Sequence, residues 1–204
     1  MLRLYITRHG ETEWNIERRM QGWKDSSLTP KGVENAIALG NRLKDVDFNC
    51  IYSSSSRRTI HTAELIRGNR DIHIIPNDNL REINLGEWEG KTAEEVETID
   101  KQGRKAFWET PHLYVPKSGE SYFQVRDRIE TVINKIIEEH KDGNVLIVTH
   151  AVIVKTMMSL FKGYPVEKLW EPPIIHGTSL CIAEVDKNKI NVILEGDMSH
   201  AKEV

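Results

Sequence analysis

An apolar run, Leu2 to Ile6, stops abruptly at Thr7-Arg8-His9-Gly10 and continues into Glu11-Thr12-Glu13-Trp14-Asn15. Leu4, Tyr5 and Ile6 read as a buried strand, because β-branched and aromatic side chains suit a covered, pleated surface. Gly10 permits a sharp turn and a close approach of backbone N–H groups to a ligand. A fixed cation, Arg8, and a titratable nitrogen, His9, therefore sit together at the carboxyl end of a strand. In open α/β sheets that end is where ligands bind. The planar fork of arginine suits phosphate because it donates two hydrogen bonds at once.

The rest of the chain alternates in kind. Thr29-Pro30 opens a helix whose apolar face is Val33, Ala36, Ile37, Gly40 and Leu43. Cys50-Ile51-Tyr52 is a short strand, and one of the last of the serines 53–56 caps a helix from Arg57 to about Arg67. Ile72 to Ile75 is a further short strand, stopped by Pro76. Leu80 to Gly90 reads as a loop, Thr92 caps a short helix, and a second helical piece surrounds Phe107 and Trp108. Two prolines and a glycine make 111–119 irregular. Ser121 to His140 is a long helix with Val125, Ile129, Val132, Ile133, Ile136 and Ile137 in one apolar stripe, read as core rather than as a partner surface. Val145 to Thr149 is a continuous apolar run, as expected of a central parallel strand covered on both faces, and it ends in His150. Ala151 to Phe161 is helical. Ser179–Val185 and Lys189–Leu194 form a hairpin turned at Asp186-Lys187-Asn188. Strands alternating with helices imply an α/β fold, a three-layer α/β/α sandwich with a mostly parallel central sheet.

Bulk properties exclude several classes. Hydrophobic residues make up 39% and charged residues 29%, ordinary for a soluble globular protein. The net charge of −3 argues against a nucleic-acid binder driven by overall positive charge, despite the Arg18-Arg19 and Arg57-Arg58 pairs. No apolar run approaches the ~20 residues a membrane span needs. The chain enters a strand with no charged-then-apolar leader before it, so the expectation is a cytoplasmic protein. Cys50 and Cys181 lie in apolar, strand-like surroundings that suit reduced thiols. Without repeats or linkers, residues 1–204 read as a single domain; an apolar helix face is also compatible with a homodimer.

Three strand ends supply polar groups of one kind: Arg8 and His9, then Arg58 at a helix start, then His150. A helix start carries partial positive charge and free N–H groups. Two histidines, two arginines and a helix start would hold a phosphoryl group of roughly −1.5 to −2. A neutral imidazole can attack phosphorus and form a covalent intermediate. Arg57 reads as a solvated or rim residue, His61 as packing or as a support behind the site, and the tryptophans mostly as core or pocket lining, with Trp23 near substrate. His73, His112, His140, His176 and His200 lack metal-ligand spacing, so no metal site is expected.

The run Thr7-Arg8-His9-Gly10-Glu11-Thr12 with Asn15 resembles the signature of the histidine phosphatase superfamily, in its phosphoglycerate-mutase-like branch. The resemblance covers nearly the whole chain. Ser56 to Ala63, with Arg58, resembles the family's second arginine segment. Leu80 to Gly90 resembles the loop that carries the general acid, here Glu82. Ser118-Gly119-Glu120-Ser121 resembles the segment before the long helix, and Val148-Thr149-His150 the second-histidine strand end. Glu17 to Trp23 and Pro111-His112-Leu113-Tyr114 carry a further likeness to bacterial broad-specificity phosphatases. The family usually has Gly where this chain has Ala151, and many relatives have one arginine where this chain has Arg57-Arg58.

The resemblance implies a phosphoglycerate-mutase-like fold and a phosphomonoesterase acting on small phosphate esters. His9 becomes phosphohistidine; Arg8, Arg58 and His150 bind the phosphoryl oxygens; Asn15 donates a further bond; Glu82 is general acid and base. Gln21, Gly22, Trp23, the Ala151 N–H and the 104–122 segment would contact substrate. It implies no cofactor and no metal, because the arginines supply the positive charge. Alternatives are a phosphoglycerate mutase, whose insertions after the acid loop and tail are longer, an α-ribazole phosphatase, and a non-catalytic binding module, which would have lost the histidine or an arginine.

Overall fold

A computed structural model describes residues 1–186 and 189–201. The first strand, β1 (Leu2–Arg8), lies near the middle of one six-stranded sheet. It is followed by α1 (Glu13–Ile16), α2 (Pro30–Arg42), β2 (Phe48–Ser54), α3 (Arg57–Arg67), β3 (Ile74–Asn77), α4 (Ala93–Glu109), α5 (Tyr122–Glu139), β4 (Gly143–Thr149), α6 (Ala151–Phe161), β5 (Leu180–Asp186) and β6 (Lys189–Asp197). The sheet order is β3-β2-β4-β1-β5-β6, with β1 and β2 parallel to β4, β3 parallel to β2, and β5 and β6 antiparallel. Successive strand residues face opposite sides. Leu4, Ile6, Val145 and Ile147 pack on one side with Val132, Ile136, Ile153 and Met157 of α5 and α6. Tyr5, Leu146 and Val148 pack on the other with Leu39, Ala63 and Ile66 of α2 and α3. The result is the expected α/β/α sandwich with a mostly parallel sheet. No helix among the described residues is long and apolar enough to cross a membrane.

Helix starts follow local chemistry. Thr29 Oγ1 accepts from Gly32 N at 3.0 Å, with Pro30 at the first helical position. Thr92 with Glu95, and Ser121 with Gln124, form reciprocal capping boxes. The two helical pieces expected around Thr92 and Phe107 meet at Asp100, whose non-helical backbone kinks α4 and whose Oδ1 accepts from Gly103 N. The long-helix stripe is buried as core apart from Ile137, which is half-buried against it.

Several details depart from expectation. Pro76 does not stop a strand but lies within β3, opposite Ser53. β3 is the sheet edge, where a missing N–H costs no ladder bond. β6 runs on to Asp197. Ser56 occupies the N-cap of α3 but makes no side-chain cap bond. α1 was not anticipated; Thr12 and Asn15 build its capping box. His61 is exposed rather than packed. Of the expected hairpin turn, Lys187 and Asn188 lie outside the described residues.

Candidate active site

β1 and β4 are neighbours, with Arg8 opposite Thr149. His9 N donates to Thr149 O at 2.9 Å, which brings His9 and His150 side by side at the carboxyl ends of the two strands. Their rings meet edge-on, centroids 5.3 Å apart. Gly10 sits where a Cβ would come 2.7 Å from the Gly32 carbonyl, so the turn after His9 packs directly on α2.

Hydrogen bonds set the two imidazoles. His9 Nδ1 lies 2.7 Å from Gly10 O. A carbonyl only accepts, so Nδ1 carries the proton and Nε2 keeps a free lone pair. His150 Nδ1 lies 3.1 Å from Arg58 Nη2, which only donates; His150 Nε2–H therefore donates to Ser54 Oγ at 2.8 Å. Burial, reinforced by the positive charge of Arg58, pushes both imidazoles well below their ordinary pKa; Arg8 adds to the effect. Both are neutral near pH 7.

The cations are sunk in the protein. The Arg58 side chain has no exposed surface; Nη1 donates to Lys24 O and Asp25 Oδ1, and Nη2 to Gly22 O at 2.8 Å. Arg8 Nη1 donates to Ile175 O at 2.9 Å. The Nε atoms of both arginines are buried without a hydrogen-bond partner. An unsatisfied buried donor of this kind costs about 1–3 kcal/mol or more. Glu82 faces the same cavity. Its Oε1 accepts from Ile83 N at 2.9 Å and its Oε2 from Val152 N, in the first turn of α6, at 3.4 Å. Burial raises the Glu82 carboxyl above its ordinary pKa, against the pull of these N–H groups and both arginines.

The cavity, about 550 Å³, is lined by Arg8, His9, Arg58 and Glu82 among others. Asn15, Gln21, Gly22 and Ala151 also line it. Asn15 Oδ1 accepts from Thr12 N and Oγ1, which turns its amide nitrogen outward. Gln21 is more committed than the sequence suggested: Nε2 donates to Thr12 Oγ1 and Oε1 accepts from Ser26 Oγ. Gly22 has φ +54°, where a Cβ would strike the Glu89 carboxylate. Ala151 starts α6 without a positive φ, so glycine is not required there.

Two expectations need correction. Trp23 does not line the cavity; its indole stacks on Arg81 at 4.3 Å and Nε1 donates to Glu82 O, so it buttresses the Glu82 loop from outside. His150 is buried behind Arg58 with both ring nitrogens engaged, so in this geometry it holds Arg58 rather than facing the cavity. From segment 104–122 only Phe107 and Trp108 reach the cavity. Arg57 is exposed, as expected of a rim residue. Among the described residues no group of three or more His, Cys, Asp or Glu could hold a metal ion.

Sequence reasoning missed three supports. Thr178, at φ +63°, donates its N–H to Arg8 O and His9 O and fixes the turn that carries His9. Lys155, buried in α6, donates to Glu171 O and Pro173 O and holds the segment that carries Ile175. A lone lysine in the apolar run Val152-Ile153-Val154-Lys155 was a visible signal. Glu89 accepts from Trp23 N at 2.8 Å and Lys24 N at 3.2 Å, shaping the loop around Arg58.

Comparison with known proteins agrees with this geometry. The model of the histidine phosphatase superfamily (branch 1) matches residues 4–197. A solved structure, Bacillus stearothermophilus YhfR, is 48% identical with a TM-score of 0.97, over 99% of this chain and 100% of that one. The α-ribazole phosphatase from Shigella flexneri is 25% identical with a TM-score of 0.89, over 99% and 100%. A probable phosphoglycerate mutase GpmB from Escherichia fergusonii is 30% identical over 208 residues, 98% of this chain and 95% of the relative. With the family pattern matched from the first strand to the last, the chain belongs to the histidine phosphatase superfamily and is an enzyme with phosphatase activity.

Proposed function

We propose that the protein hydrolyses phosphate monoesters of small molecules through a phosphohistidine on His9. The observation that carries this reading is the lone pair of His9 Nε2 beside two buried, unpartnered guanidinium N–H groups. The phosphoryl dianion binds between Arg8 and Arg58, with Asn15 and the start of α6 at its edges. His9 Nε2 attacks phosphorus; the P–O bond to the leaving group breaks, and Glu82 gives its proton to the departing oxygen. Water then attacks phosphorus as Glu82 takes its proton; the P–Nε2 bond breaks, its electron pair returns to His9, and phosphate leaves. The arginines offset the charge spread over the equatorial oxygens. His150 keeps Arg58 in register and stays neutral. No step needs a cofactor.

Beyond the phosphoryl-binding groups the cavity lining mixes apolar side chains, among them Trp14, Met20, Phe107, Trp108 and Trp170, with the cations Arg18, Arg19 and Lys155. Burying an aryl or alkyl portion of a substrate there is worth about 25 cal/mol for each Å², and the cations suit a substrate with a further negative charge. A mutase reaction on 3-phosphoglycerate is the rival reading.

The test is direct. Wild-type enzyme should release phosphate from 1-naphthyl phosphate and trap 32P on His9 in an acid-labile form. His9→Ala should lose both. Full turnover by the variant, or conversion of 3-phosphoglycerate to 2-phosphoglycerate faster than phosphate release, would overturn the proposal.

A further inference from the structure

Arg58 has five N–H groups, and their partners can be counted. Nη1 donates to Lys24 O at 2.7 Å and to Asp25 Oδ1 at 3.0 Å; Nη2 donates to Gly22 O at 2.8 Å and to His150 Nδ1 at 3.1 Å. The fifth, on Nε, is buried and unpartnered. Among the described residues Asp25 supplies the one ion pair to this guanidinium. The second oxygen of Asp25 accepts the backbone N–H of Arg57 at 2.6 Å. Arg57 is the first residue of α3, and the helix's own N-cap, Ser56, leaves that end without a side-chain bond. One carboxylate from a loop thus caps α3 and grips the cation that α3 carries.

We propose that Asp25 is a positioning residue for phosphoryl recognition, tying Arg58 to the start of α3 and fixing its guanidinium so that Nε is its one unpartnered N–H. The inference rests on the phosphatase reading above. Asp25 offsets part of a charge that is otherwise buried beside Arg8, and it fixes the plane of the guanidinium from the side opposite His150. Without it, one Nη1 N–H loses its partner, the charge pairing is gone, and repulsion from Arg8 can swing the fork away from the phosphoryl position. Asp25 itself does not line the active cavity; it opens on a separate surface groove with Ser26, Ser27, Ser55 and His61.

The experiment uses Asp25→Ala and Asp25→Asn, each alone and combined with Arg58→Met. The readouts are kcat/KM for p-nitrophenyl phosphate and the Kd of inorganic phosphate from tryptophan fluorescence, since Trp14, Trp108 and Trp170 line the cavity. Asp25→Ala should weaken phosphate binding and kcat/KM roughly 10- to 100-fold, the range for losing a hydrogen bond to a charged group. Asp25→Asn keeps an acceptor for Nη1 but not the charge, and should fall between. In the Arg58→Met background Asp25→Ala should change kcat/KM less than about threefold, since coupled residues are non-additive. A folded Asp25→Ala with unchanged kcat/KM and phosphate Kd would overturn the proposal, as would equal losses in both backgrounds. If Asp25→Ala does not fold, Asp25→Asn carries the same criteria. Inactive wild type, or fully active Arg58→Met, would instead strike the phosphatase reading itself.

Discussion

Glu82 and His9 are driven in opposite directions by the same burial. Loss of water disfavours the charged form, so the carboxyl rises and the imidazole falls; the two arginines pull Glu82 part of the way back and push His9 further down. The acid limb of kcat/KM, which needs neutral His9, should therefore lie well below pH 6.5. The alkaline limb, which needs protonated Glu82, should lie above about pH 4.5. Glu82→Gln should remove the alkaline limb and lower the rate by roughly 10²–10⁴ for phenyl phosphate, and less for p-nitrophenyl phosphate, whose leaving group needs no acid. A retained alkaline limb would refute that role. Stability follows the same shifts. Between the unfolded and folded pKa of Glu82 the folded state holds the extra proton, so its contribution to stability falls as pH rises through that window. Thermal melts at pH 8 should thus find Glu82→Gln more stable than wild type. The histidines act the other way: their folded pKa values are depressed, so stability falls as pH drops below about 6.5.

At the scale of elements, local rules account for most of the helices and fail where a neighbour from elsewhere intervenes. Thr29, Thr92 and Ser121 cap their helices as any reader of the chain would expect. Ser56 does not, because Asp25 takes its place. Pro76 survives inside a strand because β3 has a free edge, a property of sheet order. The short α1 ends in a Schellman pattern: Arg19 N donates to Trp14 O and Arg18 N to Asn15 O, which forces Arg18 to φ +56°. A non-glycine residue there pays the left-handed steric penalty. Arg18→Gly should therefore raise unfolding free energy by roughly 0.5–1 kcal/mol in urea titrations. A decrease would mean that the arginine side chain stabilises the loop by contacts that outweigh the strain.

At the scale of the molecule, the site is a meeting of segments that the sheet order brings together. β1 supplies Arg8 and His9, α3 supplies Arg58, the loop before α4 supplies Glu82, and the segment before β5 holds the first turn through Thr178. A ligand that bridges these parts stabilises the whole fold by mass action. Inorganic phosphate at about 100 times its Kd should add about 2.7 kcal/mol, or roughly 5–10 °C in Tm for a chain of this size. Arg58→Met should lose most of that shift; an equal shift in both proteins would mean that phosphate binds elsewhere.

The amino-acid order alone determined the alternation of strand and helix, the apolar strand cores, and the identity of Arg8, His9, Arg58, Glu82 and His150. The elements, Arg8, His9 and His150 were legible because period and propensity depend on near neighbours, and because a polar residue that ends a covered strand has few other reasons to be there; Arg58 stood out at a helix start, and Glu82, in a loop, was named only through the family resemblance. Only the tertiary structure decided that His150 backs Arg58, that Trp23 faces outward onto Arg81, that Asp25 caps α3, and that Thr178 holds the turn at His9. Those contacts join residues far apart in the chain. Their partners are chosen by strand order and by packing against the opposite layer, and neither is written in any local window.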